Sequence, residues 1–187
     1  MNAPELIREL IEYTERDLDQ VQAFKTRSIS ELQYKQNPDS WSILECIEHL
    51  NRYADFYIPE LSKRIQTSTY RQSTTFKPGL LGSYFANSML PREGFKKIKT
   101  FQAMNPINSQ VNIDVLDKFI AYQQQLLALL EKSKNIDLTK VKTAISISKW
   151  IKLRLGDTFR VVVYHNFRHV VQCQDILDSF KHSKRSS

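Results

Sequence analysis

Helical periodicity dominates this chain: four long stretches place apolar residues every three or four positions, and only 4 glycines and 6 prolines interrupt the 187 residues. Such a pattern has few outlets besides a mostly α fold, in which each amphipathic helix buries its apolar stripe against its neighbours. Helices are expected over residues 4–24, 43–65, 114–132 and 158–180, with a long connection between the second and third. The fold class that accommodates them is all-α, a single four-helix-bundle domain over residues 1–187.

Local signals place the helix ends. Pro4 pre-sets a first turn, and Leu10, Thr14, Leu18 and Val21 then follow the helical period to form a core face. Ser28 to Glu31 allows a short turn inside a polar connector. Ser42 and Glu45 form a capping box for the second helix, whose apolar stripe runs from Ile43 to Ile65 with a bend expected at Pro59. Residues 67–110 resist reading, although Leu80 to Leu90 is apolar enough for a short helix that either packs over a bundle end or closes a pocket, a lid being one role for a connection this long. Residues 141–155 alternate like a strand, but with no obvious partner they are read as extended chain or a helical turn. Gly156-Asp157 is expected to end that segment, with Asp157 as N-cap of the last helix.

Bulk properties narrow the function classes. The net charge of +7 is spread along the chain, its densest groups being Arg92 to Lys99 and the terminal Lys181 to Arg185, so no organised nucleic-acid surface is expected. No apolar run approaches the roughly 20 residues that span a bilayer, and the N-terminus reads as polar helix rather than signal peptide. A cytoplasmic location without a membrane partner follows as the expectation. Cys46 and Cys173, each within a helical pattern, fit buried reduced thiols rather than a disulfide.

Three of the 4 histidines stand where a helix of this kind normally carries leucine. A heptad through the last helix puts Val162, His165, His169, Gln172 and Ile176 on one inward row, and the i, i+4 rings, about 5 to 6 Å apart at Cβ, reach a common ion at about 2 Å. His49 borders the core face of the second helix, seven residues after Ser42, as His165 stands eight after Asp157. In an up-down bundle the second and fourth helices are parallel and diagonal, which would set the three rings at similar depth. One buried histidine alone more often bonds a carbonyl or carboxylate than a metal. Two on one turn leave two desolvated rings, each costing a few kcal/mol unpaired, and one divalent cation satisfies both. Gln172 serves equally well to orient a ligand or a metal-bound water or to cap a buried carbonyl, and Glu45, one turn before His49, is a second candidate to accept from a ligand ring or a bound water, although its capping-box role is sufficient by itself. Arg168 is expected to reach outward to a carboxylate or helix end, and His182 to be solvated.

The run Trp41-Ser42-Ile43-Leu44-Glu45-Cys46-Ile47-Glu48-His49-Leu50 resembles the W-S-x-x-E-x-x-x-H-L opening of the second helix in the DinB/YfiT-like superfamily. Leu155-Gly156-Asp157, followed by His165-Asn166-Phe167-Arg168-His169-Val170-Val171-Gln172, resembles its closing L-G-D and H-x-x-R-H-x-x-Q pattern. The likeness covers helices one, two and four and leaves residues 67–110 unmatched. It implies a four-helix bundle whose metal ligands are His49, His165 and His169, holding a divalent ion, nickel or zinc, completed by water. It further implies a thiol-dependent S-transferase or a metal-dependent hydrolase acting on a small molecule, with a low-molecular-weight thiol as one candidate and a homodimer as one admissible assembly. The competing expectation is a non-catalytic metal or small-ligand binding bundle, and a third is a structural bundle with satisfied core histidines. With no Ser/His/Asp order and no Gly-rich phosphate loop, nucleophile activation at an ion is the chemistry the residues support. The basic residues near Arg92 to Lys99 would attract an anionic substrate.

Overall fold

The computed structural model describes residues 1–91 and 100–185, so the basic group at 92–99 lies outside the described residues. Its elements are α1 (Ala3–Phe24), α2 (Ile29–Leu32), α3 (Ile43–Gln66), α4 (Leu80–Met89), α5 (Val115–Ser133), a hairpin of β1 (Lys142–Ile145) and β2 (Ser148–Arg154), and α6 (Leu155–Arg185). The protein is thus mostly helical, with four long helices near the expected positions. Ser42 and Glu45 form the expected capping box, and α3 continues through Pro59. Ser28 and Glu31 make a second capping box at the start of α2.

Contacts between the long helices fix their order and direction. Tyr164 donates to Glu9, and Gln20 donates to Gln174, so α1 and α6 run side by side in the same direction. Asn51 donates to the Val115 carbonyl and Lys118 to Asp55, which makes α3 and α5 parallel as well. By contrast, the Cys173 thiol meets the Ile43 carbonyl while Tyr53 packs on His165, so α3 and α6 are antiparallel neighbours. The up-down arrangement with α3 and α6 parallel and diagonal is therefore incorrect. The matching offsets of His49 and His165 from Ser42 and Asp157 are coincidental; antiparallel packing sets their level.

Parallel packing of α3 and α5 demands a connection that returns the length of the helices, and this explains the long segment between them. It is anchored as it goes. Phe76 donates to the Met1 carbonyl and Thr74 accepts from Ala3. Phe76 is fully buried against Gly156, where a Cβ would come within 2.6 Å of its ring. Asp157 accepts from the Gly79 N–H at 2.8 Å, at the start of α4, and pairs with Arg160. A Cβ on Gly82 would come within 2.3 Å of the Asp157 carboxyl carbon, so α4 docks on α6 through bare backbone.

Two expectations about residues 141–157 need correction. The extended segment is a hairpin, with Thr143 opposite Leu153 and a register shift beyond Ala144. It supplies its own partner strand by folding at Ser146-Ile147, without the Gly or Asn that usually marks such a turn. Asp157 does not cap α6, because β2 passes directly into a helix that already starts at Leu155. Its carboxylate instead receives the start of α4.

The face of α1 also differs by one position. Leu10, Thr14, Asp17 and Val21 are buried, and Leu18 is only half-buried. Asp17 is 1% exposed, and neither carboxylate oxygen has a partner among the described residues. Burial pushes its carboxyl up to about 8, against the pull of Arg16. A folded value above the unfolded 3.8 means that its contribution to stability is whole below that pH and lost as pH rises through about 8. Asp17→Asn is therefore expected to melt at a higher temperature than the parent near pH 9, with the gap closing towards about pH 4. Thermal melts across that range check this, and a pH-independent gap would refute it.

Candidate metal centre

α3 carries His49 and α6 carries His165 and His169, and antiparallel packing faces them across one seam. The three rings each offer a nitrogen, and these atoms all lie within 4.8 Å of one another. His49 Nε2 and His165 Nε2 stand 3.2 Å apart. Two nitrogens bound at about 2.1 Å to one tetrahedral or octahedral ion would be roughly 3.0 to 3.4 Å apart, so this separation fits. The donor set fits a borderline-soft divalent ion such as zinc or nickel.

Two of the rings are oriented by groups behind them. The Met104 carbonyl accepts from His49 Nδ1 at 2.7 Å, and the Gln172 side-chain oxygen accepts from His169 Nδ1 at 2.9 Å. An oxygen acceptor places the proton on Nδ1 and leaves the Nε2 lone pair for a ligand role. Trp41 lies 4.7 Å from the His49 ring and 5.8 Å from the His169 ring, and its indole N–H donates to Asn105. Tyr53 meets the His49 and His165 rings edge-on.

The electrostatics favour neutral imidazoles. Burial lowers His49 to about 4 and His169 to about 3, with the neighbouring cationic forms adding to the shift at His169. His165 lies well below the ordinary value, first through burial and then through His169 and His49. At neutral pH the three rings therefore need shed no proton to bind a cation.

The triad opens onto a cavity of about 960 Å³. Val162, His165, His169, Gln172 and Ile176 all line it, as the inward row predicted. Aromatic residues from α3, α4 and α5, among them Tyr53, Tyr57, Phe85 and Tyr122, form much of the wall. Thr100 and Phe101 line it as well, so the long connection contributes to the site itself.

Gln172 stands on His169, but Glu45 does not line the cavity. Its oxygens accept from Ser42, Lys35 and Asn108, two of them backbone N–H groups. Cys46 and Cys173 are free, buried and outside the triad. Arg168 donates to the Ser88 carbonyl in the last turn of α4, the helix-end role expected of it. Sequence reasoning missed the Met104 carbonyl, Tyr53, and the buried pair Gln123 and Asn166. Tyr53 was within reach, since it stands one turn beyond His49 on the same stripe.

Convergent histidines from two helices, oriented from behind and opening to an apolar cavity, define a mostly helical protein with a three-histidine candidate metal site. A family model described as the DinB superfamily matches residues 10–173, and the chain belongs to that superfamily. The superfamily is often metal-dependent. No curated protein and no solved structure matches the chain.

Replacing Gln172 by leucine removes the acceptor that orients His169 while leaving all three ligands in place. Metal affinity is expected to fall by on the order of 10- to 100-fold, measured by competition with a chromogenic chelator. Unchanged affinity would show that Gln172 does not orient the ligand.

Proposed function

We propose that this protein is a metal-dependent enzyme, a single DinB-type four-helix-bundle domain in which His49, His165 and His169 hold one nickel or zinc ion. The carrying observation is three neutral ring nitrogens within 4.8 Å of one another at the wall of an open cavity. When bound, such an ion lowers the pKa of a coordinated water or thiol, which supplies a nucleophile at neutral pH. The reaction class is thiol S-transfer or hydrolysis on a small molecule.

The chain's own residues supply the rest. Met104 and Gln172 hold two rings in the tautomer that presents Nε2. Trp41 covers the seam beside His49 and His169, which limits water on that side. The Tyr53 phenol, pushed up by burial, keeps its proton and offers an O–H at the cavity wall. No described helix is long and apolar enough to cross a membrane, and the two free buried cysteines suit a reducing cytoplasm.

The test is elemental analysis of protein purified without chelators, followed by activity against thiol–electrophile pairs and simple amides and esters. The parent is expected to carry about one divalent ion per chain, and His165→Ala to lose both the ion and any turnover. Unchanged metal content in His165→Ala would remove the triad as the site. Full metal content with no turnover on any panel member would favour the non-catalytic binding bundle.

A further inference from the structure

Two side-chain amides meet inside the cavity wall. Gln123 of α5 is 1% exposed and Asn166 of α6 is 6% exposed, and Asn166 Nδ2 donates to Gln123 Oε1 at 3.3 Å. Both residues line the cavity. This bond uses one N–H of Asn166 and the oxygen of Gln123. The Gln123 NH₂ group and the Asn166 oxygen have no partner among the described residues. Turning both amides end for end leaves the same remainder, one NH₂ and one carbonyl. Both groups keep some solvent access on the cavity side, so a ligand can reach them.

The surroundings say what fits there. Tyr122 and Leu126 flank Gln123 along α5, and Val162 stands one turn before Asn166; all three line the cavity. Among the described residues, Arg168 is the one lysine or arginine on the lining, and it donates to the Ser88 carbonyl. A carboxylate would gain the Gln123 donor but face the Asn166 oxygen. A ketone would satisfy one group only, and an alcohol would have to meet both through a single oxygen. A carboxamide presents a carbonyl to the NH₂ and an N–H to the carbonyl, side by side.

We propose that Gln123 and Asn166 form a subsite that binds the carboxamide of an otherwise largely apolar ligand. Asn166 directly follows His165, so an amide held by the pair lies on the wall beside the triad. The subsite rests on the reading of this cavity as the substrate site, and it narrows the substrate class to apolar molecules that carry an amide.

The experiment measures binding rather than turnover, on the full chain both metal-free and zinc-loaded. Calorimetric or NMR titration compares 4-phenylbutanamide with its methyl-ketone analogue, 5-phenylpentan-2-one, and with 4-phenylbutanoate. The amide is expected to bind about tenfold more tightly than the ketone, the value of roughly one good hydrogen bond, and more tightly than the acid. Gln123→Leu, close in volume, is expected to abolish that preference while still binding the ketone. Gln123→Met serves if the leucine variant fails to fold. Equal affinity for amide and ketone, or a preference that survives in either variant, would overturn the subsite and leave the pair as a brace between α5 and α6. A preference for the amide in a protein that takes up no metal would sink the enzyme reading and leave the subsite standing, so the two failures are distinguishable.

Discussion

Antiparallel packing of α3 on α6 holds the rest of the site in place. Each of the two helices carries an apolar stripe interrupted by histidine, and the seam between them is where those interruptions coincide. Ile43 meets Cys173, His49 meets His169 and His165, and Tyr53 meets His165, so one register serves the core and the candidate ligands together. A shift of one turn along α6 would move a ring by about 5.4 Å, more than the span of the triad, and bury unpaired imidazoles among leucines. The register is thus held by packing on one side and polar satisfaction on the other.

The same packing explains why so much chain lies between α3 and α5. Both run in the same direction, and a parallel pair cannot be joined by a tight turn. The connection therefore travels back along the helices, and on the way it supplies the Met104 carbonyl to His49 and Asn105 to Trp41. Residues that a topological necessity brings past the seam have become part of the site. The L-G-D residues that open α6 serve this traverse: Gly156 admits Phe76, and Asp157 receives the Gly79 N–H.

What the residues alone disclosed follows from how local each signal is. The i, i+4 pair His165 and His169 is a property of one helix, and so is the position of His49 on its stripe; both were legible. Helix direction was not, because the parallel pairing of α3 with α5 leaves its only trace in the length of the connection. The hairpin escaped because its turn, Ser146-Ile147, lacks the residues that announce one. Met104 acts through a backbone carbonyl, which no side-chain pattern reveals. Gln123 and Asn166 sit on different helices, and neither is unusual in its own helix; their burial against each other exists only in three dimensions. Asp17 escaped for a similar reason, since a carboxylate on the helical period reads as surface until the neighbouring helices close over it.

Charge gives the site its reach. Three imidazoles are neutral ligands, and their lowered pKa values keep them so at neutral pH. A divalent ion held by them would keep its full double charge, where a carboxylate ligand would cancel part of it. The cavity adds a largely apolar wall, in which that charge is weakly screened and acts strongly on any group at an open coordination position. Deprotonation of a bound water or thiol is the response such a site favours most. A neutral, mostly apolar ligand brings no competing charge into this field, and an amide anchored at Gln123 and Asn166 would leave the open position to the nucleophile.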